Sequence, residues 1–223
     1  MKTKQLSTTL AILLLFLSIT MIQAKGNKNE AGTDMKKILI LGLKDNIKSD
    51  YYYKGLISEE SGIPEDSLEL VFNRTIANNM AQQHIEFIPA ISSGNCTKVL
   101  NDITVKGEKD ECTADLSQVD NQCFRDLLSG AGAEYALILN RHYLRKQEQP
   151  FNTIFYIVSY SLYDKEKKEI SSGSNYFTAM HLESAETMKK TSRKTSDKIA
   201  SSVLKLVAQQ PTETAATLLL SKN

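Results

Sequence analysis

The sequence predicts one α/β domain of the α+β kind, a mixed and largely antiparallel sheet with helices packed on it. Three observations carry that expectation. A short continuous apolar run, Ile38 to Leu43, has the pattern of a strand covered on both faces. Two later stretches repeat apolar residues at helical spacing. A segment rich in β-formers, Ile154 to Tyr163, is followed by a charged turn and a returning strand.

In chain order, the Ile38 to Leu43 strand is expected to be central. From Lys44 to Gly62 the chain turns polar and holds Tyr51, Tyr52 and Tyr53 in succession. No single helix or strand face buries three consecutive rings, so at least one is expected to meet solvent. Asp66 with Glu69 at N3 can open a helix whose Leu68, Val71, Phe72, Ile76 and Met80 share one side. Ile85, Phe87 and Ile88 before Pro89 read as a second strand, and Ser92 to Asp115 as a polar, cysteine-bearing insertion.

Ser117 and Asp120 form a plausible capping pair for a helix through Val119, Phe124, Leu127 and Leu128, ended by the Gly130 to Gly132 stretch. A strand from Tyr135 to Leu139 follows. Ile154 to Tyr163 and Ile170 to Ala179 then pair as an antiparallel hairpin across the charged turn Asp164 to Glu169. Met188, Thr195, Ile199, Val203 and Leu206 line one side of a closing helix that ends near Pro211, with Lys and Ser on the other side.

The ends of the chain speak of export. Lys2 and Lys4 precede an apolar stretch from Leu10 to Ile22, and the small Ala24 offers a cleavage point, the order a secretory signal peptide requires. The stretch is shorter than the ~20 residues a spanning helix needs. Residues 1–24 are therefore expected to be removed, leaving 25–34 as a flexible lead, 35–210 as the domain and 211–223 as a tail. No cysteine follows the cut, so neither a lipid anchor nor another stable membrane anchor is expected. Cleavage leaves 25 basic against 26 acidic residues, a balance that steers the surface toward neither nucleic acid nor anionic lipid.

The strand KKILILGL, the junction GAGAEYALIL and the hairpin YSLYDKEKKEISSGS, in that order, resemble a group of bacterial envelope domains. The group includes the curli secretion-channel protein CsgG, the penicillin-binding-protein activator LpoB and the amino-terminal domain of TolB, and the resemblance spans about Met35 to Gln210. It implies a non-enzymatic role in envelope assembly, secretion or regulation through protein contacts, in the periplasm or outside the cell. Many of those relatives are lipoproteins, and this chain lacks the lipid-bearing cysteine. No residue role is carried over.

The candidate chemistry is sparse. Cys96, Cys112 and Cys123 are disulfide candidates after export, either as Cys96 with Cys112 or as Cys112 with Cys123. Zinc spacing is absent, and the acidic stretch Asp102 to Asp120 lacks the order of a calcium loop, so no metal and no cofactor is implied. His84 with Cys96 would be the pair for a small thiol hydrolase, and Asp45 with Asp50 a pair for acid/base work. Ser202 to Lys205 spells S-x-x-K and Ser93 to Asn95 spells S-x-N, in the wrong order for serine penicillin-binding enzymes. Only Gly42 follows the first strand, so no dinucleotide loop is present. Asn73 and Asn95 match the N-glycosylation pattern, which matters only in a host with that machinery.

The Tyr51, Tyr52, Tyr53 triplet is the candidate binding group, because tyrosine joins a large apolar face to a polar tip. The competing reading packs one or two of its rings beside the first strand. The expected function is an exported, non-catalytic binding or accessory protein whose partner is another envelope protein or a second copy of itself. A small exported hydrolase and a homo-oligomeric structural subunit, joined through the final helix or the leucine-rich tail, are the alternatives.

Overall fold

The computed structural model describes residues 35–50, 54–90, 94–109, 111–150, 153–179 and 184–209. The predicted signal peptide, lead and tail, and Tyr51, Tyr52 and Tyr53, lie outside the described residues. Strand β1 (Lys36–Gly42) sits where its apolar run requires, between two parallel neighbours, β3 (Ile85–Pro89) and β6 (Tyr135–Gln147). Ile38 and Ile40 point into one hydrophobic core, and Leu39 and Leu41 into a second. Because successive strand residues face opposite ways, the sheet separates those two cores.

Strand β6 is long enough to serve two partners in turn. It pairs first with β1, then, past an irregularity between Leu139 and Arg141, with β2 (Ile47–Ser49), also in parallel. On its other side β7 (Thr153–Asp164) and β8 (Glu169–Ala179) complete an antiparallel meander, giving the order β3-β1-β6-β7-β8. Asp164 shapes the β7–β8 turn, its Oδ1 accepting from the backbone N–H of Glu166 and Lys168 at 3.0 and 2.9 Å. The sheet is therefore mixed, parallel in its short-stranded half and antiparallel in its long-stranded half.

One face of the sheet carries α1 (Lys54–Ser61), α2 (Leu68–Asn79) and α5 (Ala185–Ala208). The other carries α3 (Gly94–Asp102), the hairpin of β4 (Thr104–Glu108) with β5 (Glu111–Asp115), and α4 (Asn121–Ala131). Together these form a single α+β domain. None of the helices among the described residues is long and apolar enough to cross a membrane.

Several local expectations change. The Asp66–Glu69 capping box does not form: Glu65–Ser67 makes a 3-10 turn, and α2 begins at Leu68 with no side-chain cap. The Glu69 carboxylate is engaged elsewhere, accepting the Asp45 N–H at 2.6 Å. The polar stretch after β1 contains β2 and α1. Within the Ser92 to Asp115 insertion the described residues form α3 and the strands of a hairpin, because Cys96 and Val99 recur at helical spacing while Cys112 and Ala114 alternate as a strand does. Polar residues between them hid both periods.

At α4 only Asp120 caps, accepting the Cys123 N–H at 2.8 Å, while Ser117 bonds back to Asp115. Gly132, at φ 63°, ends the helix in the left-handed conformation that favours glycine. On α5, Thr195, Ile199 and Val203 are buried as expected, but so are Ser192 and Ser196. Ser196 Oγ donates to Ile76 O on α2 at 2.9 Å. Small hydroxyl side chains let the two helices approach where leucines would hold them apart.

Candidate functional site

Among the described residues, polar side chains gather both inside the molecule and at its surface. The interior cluster arises where β1 gives way to β2. Asn46 sits in that break, its carbonyl accepting the His142 N–H at 2.8 Å and its Nδ2 donating to Leu139 O at 3.1 Å. Asn46 Nδ2 also reaches Asn73 Oδ1 of α2 at 3.0 Å, and Asn73 Nδ2 donates to Leu43 O at 3.1 Å. Gly42 makes the approach possible, because a Cβ there would stand 2.6 Å from the Asn73 side chain.

His142 extends the chain of bonds across the core. Its Nε2 lies 2.8 Å from Asn73 Oδ1 and its Nδ1 2.8 Å from the Tyr156 hydroxyl. An amide oxygen can only accept, so the proton is assigned to Nε2, and Nδ1 accepts from Tyr156. Phe72 packs edge-on against both rings, at 5.6 Å between centroids. Burial with no countercharge lowers the His142 pKa to about 3 and raises that of Tyr156 well above its ordinary value. Ser192 faces Tyr156 from α5, yet its Oγ finds no partner of hydrogen-bonding geometry. Sealed from solvent and held neutral, this cluster orders the sheet and cannot reach a substrate.

The surface feature is built by the β4–β5 hairpin, which lies over the second face of the sheet without joining its ladder. Side chains pin it there. Asn140 Nδ2 donates to Cys112 O at 2.8 Å, Tyr163 OH to Ala114 O at 2.5 Å, and Ala114 N to Ser161 Oγ at 3.2 Å. Lys167 Nζ holds the chain that follows, donating to Val119 O at 2.6 Å and Leu116 O at 3.2 Å. Between β5 and β8 an open groove of about 340 Å³ remains, lined by Glu111, Cys112, Thr113, Ser172 to Ser174 and Tyr176. Tyr176 is 46% exposed.

No family model matches the chain. Nor does any curated protein match it in sequence. Several solved structures are similar to the chain, all at low TM-score. A PelC dodecamer from Paraburkholderia phytofirmans is 9% identical, over 76% of this chain and 91% of that one, with a TM-score of 0.38. The C-terminal domain of LpoB from Salmonella enterica is 11% identical, over 70% and 87%, with a TM-score of 0.30. The lipoprotein GNA1162 from Neisseria meningitidis is 13% identical, over 78% and 99%, with a TM-score of 0.30.

The residues singled out from the sequence are mostly dispersed. None of Cys96, Cys112 and Cys123 is in a disulfide, which corrects that expectation: Cys96 and Cys112 are buried, and Cys123 is half-buried with Lys98 Nζ at 3.5 Å from its sulfur. Burial raises the Cys96 thiol pKa. His84 is exposed in the turn before β3, whereas Cys96 is 2% exposed within the second core, so the supposed catalytic pair occupies different environments. Ser202 Oγ is turned back onto Lys198 O at 3.0 Å. Asn73 is 9% exposed and hydrogen-bonded on α2, unavailable to a glycosyltransferase in the folded chain. Among the described residues no group of three or more His, Cys, Asp or Glu is placed to hold a metal ion.

Sequence reasoning missed His142, Asn46 and Asn73 as a group. A signal was present, since Asn73 interrupts the apolar face of α2 and His142 an apolar strand. The partner that makes each tolerable lies 27 to 69 residues away.

Proposed function

We propose that this chain is an exported accessory domain of a bacterial cell envelope that works by binding another protein surface and not by catalysis. The observation that carries the reading is the groove between the pinned hairpin and β8. It is an open groove among the described residues, Glu111 and the 46% exposed Tyr176 both line it, and its β5 wall is pinned by buried bonds. Rigid walls with an aromatic anchor reduce the ordering entropy that binding must overcome. The side chains with catalytic potential support the same reading: His142 is sealed and neutral, and Cys96 is buried in the second core while His84 is exposed.

The tyrosine triplet, Tyr51 to Tyr53, follows β2 and precedes α1, and we assign it a second contact. The test is affinity capture from envelope extract with the wild-type protein, a Glu111→Lys/Tyr176→Ala variant and a Tyr51, Tyr52 and Tyr53 to alanine variant. A defined partner retained by wild type and lost with the groove variant is the expected result. Capture of nothing, together with turnover in a broad hydrolase screen, overturns the reading.

A further inference from the structure

The chain's near-neutral total conceals two opposed charges. Helix α5 carries six bases, Lys189, Lys190, Arg193, Lys194, Lys198 and Lys205, against Glu186 and Asp197, a net +4. All six bases are exposed, and among the described residues none of them is in an ion pair. From Asp102 to Asp126, the end of α3 through the hairpin into α4, seven acids face three bases, a net −4. Ile199 and Val203 of α5 pack into one core, and Ala114, Phe124 and Leu128 of the acidic stretch into the other. The sheet stands between them, so no single copy can bring the two charges together.

We propose that the molecule associates head to tail with a second copy of itself, the basic outer face of α5 docking against the acidic hairpin face and its groove. The proposal rests on the binding reading above and names the occupant. A groove lined by both Glu111 and Tyr176 suits an arginine or lysine side chain, for which it offers a carboxylate and an aromatic face. The exposed row Lys190, Arg193 and Lys194 supplies such side chains at helical spacing. The opposite net charge of the two segments argues for a copy of this chain over an anionic surface, which would engage α5 and leave the acidic segment uncovered. A heterologous contact of this kind repeats, so it builds rings or filaments and not only pairs.

The experiment is sedimentation velocity of the full protein from 25 to 500 mM NaCl, with two charge reversals, Lys190→Glu/Arg193→Glu/Lys194→Glu and Glu108→Lys/Glu111→Lys. Wild type is expected to associate at low salt, with affinity falling about tenfold or more as the Debye length shrinks. Each reversed variant alone is expected to sediment as a monomer, and an equimolar mixture of the two to associate again, because each then presents the other's complement. Circular dichroism melts establish that both variants fold, and the salt series on wild type stands without them. A monomeric wild type at every salt concentration overturns the proposal, as does association that survives either reversal. Binding of wild type to phosphatidylglycerol/phosphatidylcholine vesicles without self-association overturns it in favour of a lipid surface. Heterologous capture judges the binding reading separately.

Discussion

Acid sensitivity centred on His142 follows from its burial. In the folded chain its pKa is lowered to about 3, against an ordinary 6.5. Between those values the unfolded chain takes up a proton that the folded chain refuses, so stability is lost as pH falls through 6.5. Each pH unit in that window is worth about 1.4 kcal/mol, so moving from pH 7.5 to 5.0 removes about 2 kcal/mol. Against a typical domain stability of about 5–15 kcal/mol this is a sizeable fraction. Asp115, held low first by Lys106, and Asp120, held low by the Cys123 N–H, lose their contributions only below the ordinary carboxylate value of 3.8, outside this window.

Urea unfolding at pH 7.5, 6.5, 5.5 and 5.0, on wild type and His142→Gln, reads the effect as a difference in which all other titrations cancel. The stability of wild type relative to the variant is expected to fall by about 2 kcal/mol across that range. A difference independent of pH refutes the reasoning. A second readout needs no variant: the His142 ring resonances of the folded protein stay at their neutral positions down to pH 5, and a midpoint near 6.5 would show that the ring is not sealed.

Three further outcomes are expected. Gly42→Ala brings a Cβ to within 2.6 Å of Asn73, which must shift out of its network, and urea unfolding should show a loss of about 1–3 kcal/mol. Tyr163→Phe removes the bond to Ala114 O, and faster hydrogen exchange through β5 and β4 with about 1 kcal/mol lost is the expected signature; unchanged exchange would mean the hairpin is held otherwise. Iodoacetamide should modify Cys123 in the native protein and reach Cys96 and Cys112, 2% and 3% exposed, only after unfolding, as peptide mass mapping would report.

Elements whose apolar pattern was continuous or strictly periodic were legible from residues alone. β1, α2, the β7–β8 hairpin and α5 all declare themselves this way, because a strand covered on both faces or a helix packed on one must show it in its own residues. α1, β2, α3 and the β4–β5 hairpin did not, since each buries only one to three side chains and borrows the rest of its stability from what it lies on. The Asp66 and Ser117 caps failed for a related reason: each side chain takes the nearest partner the folded chain offers, Asp66 accepting from the Ser67 hydroxyl and Ser117 donating to Asp115.

The sequence by itself determined the class of fold and the central place of β1. Both are written in composition, spacing and short-range periodicity. Only the tertiary structure decided that Asn46, Asn73, His142 and Tyr156 would close into one neutral buried chain, that Cys96 would be buried while His84 stays exposed, and that acidic and basic segments would face opposite ways. Each depends on which residues distant in sequence the sheet order brings together, and the local pattern of an α+β chain leaves that order open.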